Sequence, residues 1–574
     1  MRKRLSREQG KQGKEGEKFT ASPRHRVTVS SSSLLAPLFS GILMGLTTAP
    51  VGAWFLAWIA IAPLWVLVVK SAKHSSPLTP LFEKPLARLR PSPLLWGIGY
   101  HGVALFWITG IHPMTWMGVP WVASLAIALF CWTFITLWGA ALVAVWAACM
   151  AFIGRGVGSL TRILIGTALW CGLESIWGMG SLYWTSISYT QSPHNLAILH
   201  LGQLSGSMTV TAAIVAINGL IAEAWITFQG SGVRESQLRA GVPPVEQTGV
   251  QGSGAKINPS SFWLLASGFW LLVGLHLIGF GLYNLPLSQP SETALKVGII
   301  QGNIPNQIKL YPEGLRRAID GYTTGYKTLA DQGVDAVLTP EGALPFMWSD
   351  VMRSSFYSAV KEKGVVAWVG AFGEQGRSYT NSLFTLTGRG EVFSRYNKVK
   401  LVPIGEYVPF EQFLGGLIQR LSPLDEHQVA GSPNQLFDTP FGRAIAAICY
   451  GSAFPEQFRY QAAAGGQFIL SAANNAHYSP SMPAQHHAQD VMRAIETDRW
   501  AVRATNTGYS AIVNPHGRTV WISGHNTYEL HAATIYRRQT QTLYVRWGDW
   551  LTPLLLVLST LAWLLNGCLN RTAE

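Results

Sequence analysis

Cys449 stands in the run Arg443-Ala-Ile-Ala-Ala-Ile-Cys-Tyr-Gly-Ser and is the only cysteine outside the strongly apolar segments. The other four, Cys131, Cys149, Cys171 and Cys568, lie in or beside stretches that read as membrane helices. There a thiol behaves as a small hydrophobe. An apolar run that ends at a nucleophile and passes into a small, Gly-containing turn reads as a strand-to-helix elbow, with a backbone N–H beside the thiol. Two charged residues fall at similar places: Glu341 follows Ala336-Val-Leu-Thr-Pro, and Lys398 follows Val392-Phe-Ser-Arg-Tyr-Asn. Reactive side chains of α/β sheets gather at strand ends, so the three could converge. Together they match the needs of acyl chemistry. A carboxylate takes the thiol proton, and a cation with the Tyr450 amide steadies the tetrahedral oxyanion. Taken singly, each residue also has a plainer reading: Cys449 as a core thiol, and Glu341 and Lys398 as an ion pair on a solvated face.

These residues need a layered frame to hold them. From Thr293 onward the chain shows short apolar or alternating runs beginning at Leu295, Ala336, Val365, Ser382, Ala444 and Phe468. Helix-compatible stretches separate them, such as 314–332, 353–363 and 485–498. Strands alternating with helices predict an α/β domain. Ser510 to Asn514, a turn at Pro515-His-Gly, and Val520 to Ser523 read as a closing hairpin.

The rest of the 574 residues has another texture. The charged fraction is 13%, well below the usual level, and there are 23 tryptophans. About eight apolar runs of near-membrane length account for both: 34–50, 52–69, 94–111, 119–150, 163–178, 207–228, 262–283 and 550–567. The net charge of +13 is distributed by side of the membrane and is not gathered on a nucleic-acid-binding face. Basic residues crowd the first 30 residues and the connections holding Lys84, Arg88, Arg155, Arg162, Arg239 and Lys256; those near Pro50, at 112–118 and at 179–206 hold none. This positive-inside pattern predicts cytoplasmic termini and places the long segment on the opposite face. The expected organisation is a disordered basic tail at 1–30, a membrane domain with seven helices at 31–283, a catalytic domain at 284–548, and a final membrane helix with a short tail at 549–574. A second polar stretch, 229–259 with Pro243-Pro244, reads as a loop.

The segments Thr339-Pro-Glu-Gly-Ala-Leu-Pro, Tyr396-Asn-Lys-Val-Lys-Leu-Val-Pro-Ile-Gly-Glu-Tyr-Val-Pro and Ile448-Cys-Tyr resemble the Glu-Lys-Cys signature of the nitrilase superfamily. Ala473-Asn-Asn-Ala and Arg503-Ala-Thr-Asn-Thr-Gly extend the match. With seven helices before this domain and one after, the chain looks like the apolipoprotein N-acyltransferase family. The resemblance implies an αββα sandwich outside the cytoplasm, joined to a polytopic helical membrane domain in the inner membrane and facing the periplasm. It assigns Glu341 as general base, Lys398 as stabiliser of the tetrahedral intermediates and Cys449 as the acylated nucleophile. Glu406 becomes a nearby supporting carboxylate. Lys400 is the other candidate lysine, and the Asn397-Lys398 pairing favours Lys398. The reaction implied is acyl transfer from a membrane glycerophospholipid to Cys449, then to the α-amine of a diacylglyceryl-cysteine apolipoprotein. No cofactor and no nucleic-acid partner are expected, and the chain is read as a monomer.

Three positions depart from the family pattern. Gly451 stands where better-known members carry a glutamate, so that carboxylate is either dispensable or supplied by another group such as Glu406 or Glu456, and Asn475 and His477 replace Asp and Trp. Two other readings compete: a membrane-anchored carbon-nitrogen hydrolase with the same triad, and an inactive lipoprotein-binding scaffold. Trp96, Trp107, Trp116, Trp121, Trp184, Trp547 and Trp550 read as interfacial anchors, some of which could line lipid access. Glu174, inside an apolar run, calls for a structural hydrogen bond. His486-His487 reads as a solvated helix face in preference to a metal site, since nothing at zinc-ligand spacing accompanies it.

Overall fold

The computed structural model describes residues 32–73, 91–240, 259–403, 406 and 428–572. The basic tail, the loop at Pro243-Pro244, the connection holding Lys84 and Arg88, and most of the segment after Gly405 lie outside the described residues. All eight apolar runs are helical. They become Ser32–Gly45, a broken run from Trp54 to Lys73, Ser92–Ala104, Trp121–Ile153, Ser159–Met179, Ser207–Ala240, Pro259–Tyr283 and Leu551–Thr572. Among the described residues, five helices are long and apolar enough to cross a membrane. Ser92–Ala104 is not one of them. Its 13 residues rise only about 20 Å, short of a hydrocarbon core of ~30 Å, before the chain tightens into the 3-10 turn Phe106–Ile111.

The two buried carboxylates inside this bundle are partnered. Arg162 donates to both Glu223 oxygens, Nε to Oε1 at 2.6 Å and Nη2 to Oε2 at 3.0 Å, and Trp65 Nε1 adds a 3.0 Å bond. Glu174 accepts from Trp170 Nε1 and Thr211 Oγ1, each at 3.1 Å, and from Ser186 Oγ, the structural role expected of it. The tryptophans divide. Trp121 and Trp547 are exposed as anchors should be, whereas Trp96, Trp107 and Trp184 are buried. Their indole N–H groups are satisfied inside the protein, which corrects the anchor reading for these three.

The second region holds two six-stranded sheets, ordered β12-β1-β2-β3-β4-β5 and β11-β10-β9-β8-β7-β6. β1 (Ala294–Gln301), β2 (Ala336–Leu338) and β3 (Val366–Gln375) run parallel, as do β7 (Gly442–Ile448), β8 (Ile469–Ala473) and β9 (Ala501–Thr505). Antiparallel strands flank each triplet, with β4 (Ser378–Leu386), β5 (Val392–Asn397) and β12 (Glu529–Tyr536) in the first sheet and β6 (Phe437–Thr439), β10 (Ala511–Val513) and β11 (Thr519–Ile522) in the second. The hairpin expected near Pro515 is β10–β11. β6, β9 and β12 were not legible as runs. β9 carries Arg503 inside a buried strand, and β12 is mostly half-buried along the sheet edge.

Strand alternation builds the layers. Ala444, Ala446 and Ile448 of β7 point into the core between the sheets with Leu295, Val297, Leu338, Trp368 and Leu470, while Ile445 and Ala447 point outward. Each large apolar side chain buried there contributes roughly 1.5–3 kcal/mol. Helices Pro312–Asp331 and Ser355–Lys363 cover the outer face of the first sheet. Helices Pro455–Ala463 and Ser481–Thr497 cover the second, and their apolar residues join the same cluster as Ile198, Leu199 and Leu201 of the membrane bundle. Helix Ser481–Thr497 is therefore enclosed on both sides, and almost every residue in it is buried.

Candidate active site

The C-terminal ends of β2, β5 and β7 deliver the three predicted groups to one place. β2 ends at Leu338, and the chain turns through Pro340 to present Glu341. Gly370 of β3 lets that turn pass, since a Cβ there would lie 2.0 Å from the Pro340 carbonyl oxygen. β5 delivers Lys398 directly. β7 ends at Ile448, and Cys449 opens the 3-10 turn Cys449–Ala453 with φ +47°, in the left-handed region. Such a conformation costs on the order of 1–3 kcal/mol and persists where the surroundings impose it.

One group imposing it is His486. Its Nε2 lies 2.9 Å from the Cys449 carbonyl oxygen, and its Nδ1 lies 3.3 Å from Asn475 Nδ2. A carbonyl only accepts and an amide nitrogen only donates, so Nε2 carries the proton. Burial pulls the imidazole down to about 3, which keeps it neutral. His486 and His487 are both buried, against the expected solvated face. The reason is the membrane bundle packed over their helix.

Lys398 Nζ sits 2.7 Å from Glu341 Oε1 and 2.6 Å from Glu406 Oε1. Asn381 Nδ2 donates to Glu341 Oε1 at 2.8 Å, the Asn474 N–H donates to Oε2 at 2.9 Å, and the Val402 N–H donates to Glu406 Oε2 at 2.8 Å. The Cys449 thiol lies 3.9 Å from the Asn474 carbonyl oxygen, to which it donates. Lys400 instead sits over Phe454, its Nζ 4.4 Å from the ring centre. Burial pushes the Glu341 carboxyl up, but Lys398, Lys309 and the thiol outweigh it and hold the group below the usual range. Burial would lower Lys398, yet Glu341 and Glu406 raise it well above an ordinary lysine. Burial and the Glu341 charge push the Cys449 thiol up to about 12. At rest the site is thus a neutral thiol beside an ionised carboxylate and a firmly charged ammonium. That arrangement moves the thiol proton as the sulfur attacks.

Aromatic residues from both regions wall this site. Trp184 stacks on Tyr450 with centroids 5.9 Å apart, and Trp107 meets Tyr478 edge-on at 5.0 Å. Tyr450 Oη donates to the Ser181 carbonyl at 2.7 Å. Gln485 Oε1 accepts from Trp107 and Trp184, at 3.1 and 2.8 Å. Beyond Trp107 and Gln485 lies an apolar cavity of about 530 Å³ among the membrane helices, lined by residues that include Ile42, Val103, Trp132 and Leu137. Among the described residues no cluster of His, Cys, Asp and Glu suits a metal ion.

Sequence reasoning missed Asn381, Lys309 and the bond from His486. The Asn474 motif was visible and the His486-His487 pair was noticed, but no spacing rule marks Asn381 or Lys309. Of the residues that depart from the family pattern, His477 Nδ1 pairs with Asn306 Nδ2 at 2.7 Å and Asn475 supports His486. A Cβ at Gly451 would make only ordinary contacts, 3.6 Å from Gln457 Oε1 and 3.8 Å from Ala447 Cβ.

Comparison with known proteins adds independent weight. Residues 296–544 match the carbon-nitrogen hydrolase family, and residues 40–220 match the apolipoprotein N-acyltransferase N-terminal domain. An apolipoprotein N-acyltransferase of a Nostoc species is 64% identical over 523 residues, covering 91% of this chain and 97% of that protein. One from a Synechocystis species is 49% identical over 533 residues, covering 91% and 98%. A third, from Gloeobacter violaceus, is 34% identical over 537 residues, covering 93% and 94%.

Proposed function

The chain belongs to the apolipoprotein N-acyltransferase family, and on that premise we propose that Cys449 carries the acyl group between a membrane glycerophospholipid and the α-amine of a diacylglyceryl-cysteine apolipoprotein. The observation that carries the assignment is the convergence of Cys449, Glu341 and Lys398 beside an acyl-sized apolar cavity in the membrane bundle. Glu341 Oε1 already accepts two hydrogen bonds, and Oε2 accepts one from the Asn474 amide, so Oε2 keeps a lone pair for the thiol proton. Sulfur attacks the ester carbonyl carbon as that proton moves to Glu341. Lys398 spends two of its three N–H donors on Glu341 and Glu406 and keeps the third for the oxyanion. The Tyr450 amide is the second donor. Collapse expels the lysophospholipid oxygen, which recovers the proton from Glu341, and a thioester remains. In the second half the neutral amine attacks the thioester, Glu341 takes its proton and returns it to the leaving sulfur, and the amide is released. Glu406 holds Lys398 in place throughout.

Both substrates are anchored in lipid, and the aromatic walls contributed by the membrane bundle suit a site that they reach sideways. Exclusion of bulk water there favours the amine over hydrolysis. We assign residues 284–548 to the catalytic domain, on the periplasmic face of the inner membrane, with seven helices before it, one after and both termini cytoplasmic. The positive-inside distribution of Lys and Arg supports this orientation. The chain works as a monomer in this reading, because one copy supplies every group the chemistry uses.

The test supplies purified protein with acyl-labelled phospholipid and a diacylglyceryl-cysteine peptide, and in parallel with small amides. Labelled triacylated peptide is expected. Ammonia released from the amides, with no peptide acylation, would contradict the proposal in favour of a hydrolase.

A further inference from the structure

The active site contains a second buried lysine that the chemistry above leaves without a task. Lys309 ends the short helix Asn306–Lys309, which follows the C-terminal end of β1. Its side chain is buried, and its Nζ donates to the backbone carbonyl of Glu341 at 3.3 Å. No carboxylate among the described residues lies within ion-pair distance of it. Lys398, by contrast, is gripped by two. A buried ammonium bonded only to a neutral carbonyl has donors to spare and a charge unmatched at contact distance.

Its surroundings point to where an anion would come from. The two residues after Lys309 are Leu310 and Tyr311, both exposed, and Tyr311 Oη reaches the Trp116 carbonyl at 3.4 Å. Trp116 belongs to the short turn Thr115–Met117, next to exposed Met117 and Trp121. Exposed aromatic and apolar residues of this kind mark the headgroup level of a bilayer. Lys309 therefore sits between an interfacial rim and the catalytic carboxylate.

We propose that Lys309 binds the phosphate of the glycerophospholipid donor, fixing the headgroup while the ester carbonyl a few bonds away reaches Cys449. This rests on the acyltransferase reading above. The phosphate belongs to every glycerophospholipid, so Lys309 selects the class of donor and leaves the headgroup alcohol free to vary. Burial draws the Lys309 ammonium down to about 8, so it is charged at neutral pH, and a phosphate would relieve the cost of burying it.

The experiment compares wild type, Lys309→Met and Lys309→Arg, each as the full chain in detergent. It follows formation of the Cys449 acyl-enzyme from phosphatidylethanolamine and from a phosphate-free activated ester, p-nitrophenyl palmitate. A charge-assisted hydrogen bond of this kind is worth about tenfold or more in donor use. Lys309→Met is expected to cut the phospholipid-to-ester rate ratio at least about tenfold through the KM for phospholipid, and Lys309→Arg to restore much of it. An equal loss with both donors would overturn the phosphate site and make Lys309 a support for Glu341. An unchanged ratio would also overturn it. Titration with inorganic phosphate separates the sources: competition with phospholipid that Lys309→Met abolishes fits the proposal, whereas phosphate binding at Lys309 without any change in phospholipid KM would assign the site to the free ion. Failure of wild type to acylate with phospholipid while it accepts the activated ester would count against the acyltransferase reading itself, independently of Lys309.

Discussion

Two groups of buried charges lie close together in this molecule and are built on opposite plans. Around Lys398 every carboxylate oxygen is engaged: both oxygens of Glu341 and both of Glu406 accept hydrogen bonds. On helix Ser481–Thr497, where the catalytic region meets the membrane bundle, bonding is partial. Arg493 and Glu496 approach to 2.9 Å and Asp490 pairs with Arg503. Yet Arg493 Nε and Nη1, both Glu496 carboxylate oxygens and Asp490 Oδ1 find no hydrogen-bond partner among the described residues. The first group is preorganised, its dipoles already aimed where charge develops. The second pays for burial without full compensation, and packing against the bundle holds it in place. Burial therefore does not by itself mark a catalytic charge; carboxylates fixed by hydrogen bonds around a reactive group do.

The largest expected effect breaks the first group at its base. Glu341→Gln keeps the shape but removes the proton acceptor, so acyl-enzyme formation should fall by about 10²–10⁴-fold while the apparent melting temperature changes little. Loss of fold with loss of activity would instead make Glu341 structural. Lys398→Met comes next. It leaves Glu341 and Glu406 facing each other without their cation and should destabilise the protein by about 3–5 kcal/mol, read as a fall in melting temperature that acid partly restores by protonating a carboxylate.

The second group predicts a smaller effect of pH on stability. Burial pushes the Glu496 carboxyl up to about 7, against Arg493 pulling it down. A raised folded pKa means that the stability is fully present below the ordinary carboxylate range and is lost as pH rises through about 7. Glu496→Gln should flatten the decline in melting temperature between pH 5 and pH 8 and leave acyl transfer intact. An unchanged slope would remove Glu496 from the account. The smallest effect is at Gly451, where a methyl would make only ordinary contacts; Gly451→Ala should leave melting temperature and acyl transfer close to wild type, in a thermal scan and an end-point assay.

The contrast also explains what the sequence could reveal. Glu341, Lys398 and Cys449 were legible because each ends a recognisable run and sits in a dense local motif, and Glu406 came with the Lys398 segment. An α/β domain followed from alternating strands and helices, and its αββα layering from the resemblance to the nitrilase superfamily. Helix Ser481–Thr497 was opaque for a physical reason. Gln485, His486, His487, Asp490, Arg493 and Glu496 give it a polar composition, which from sequence means solvent. Only the approach of a second layer, some 300 residues away in the chain at Trp184 and Tyr189, buries it. Trp107 and Trp184 failed in the same way: tryptophan near a helix end looks like a membrane anchor until Gln485, from the other region, takes both indole protons.

The central claim is that Cys449 carries the acyl group. It is tested most directly by intact-mass analysis of wild type and Cys449→Ala after incubation with a phospholipid of defined acyl chains and no acceptor. The account predicts that wild type gains the mass of one acyl chain, mapped to the Cys449 peptide and discharged by a diacylglyceryl-cysteine peptide, while Cys449→Ala gains nothing. An acyl adduct of equal yield on both proteins, or none on a folded wild type with any of several phospholipids, would contradict it.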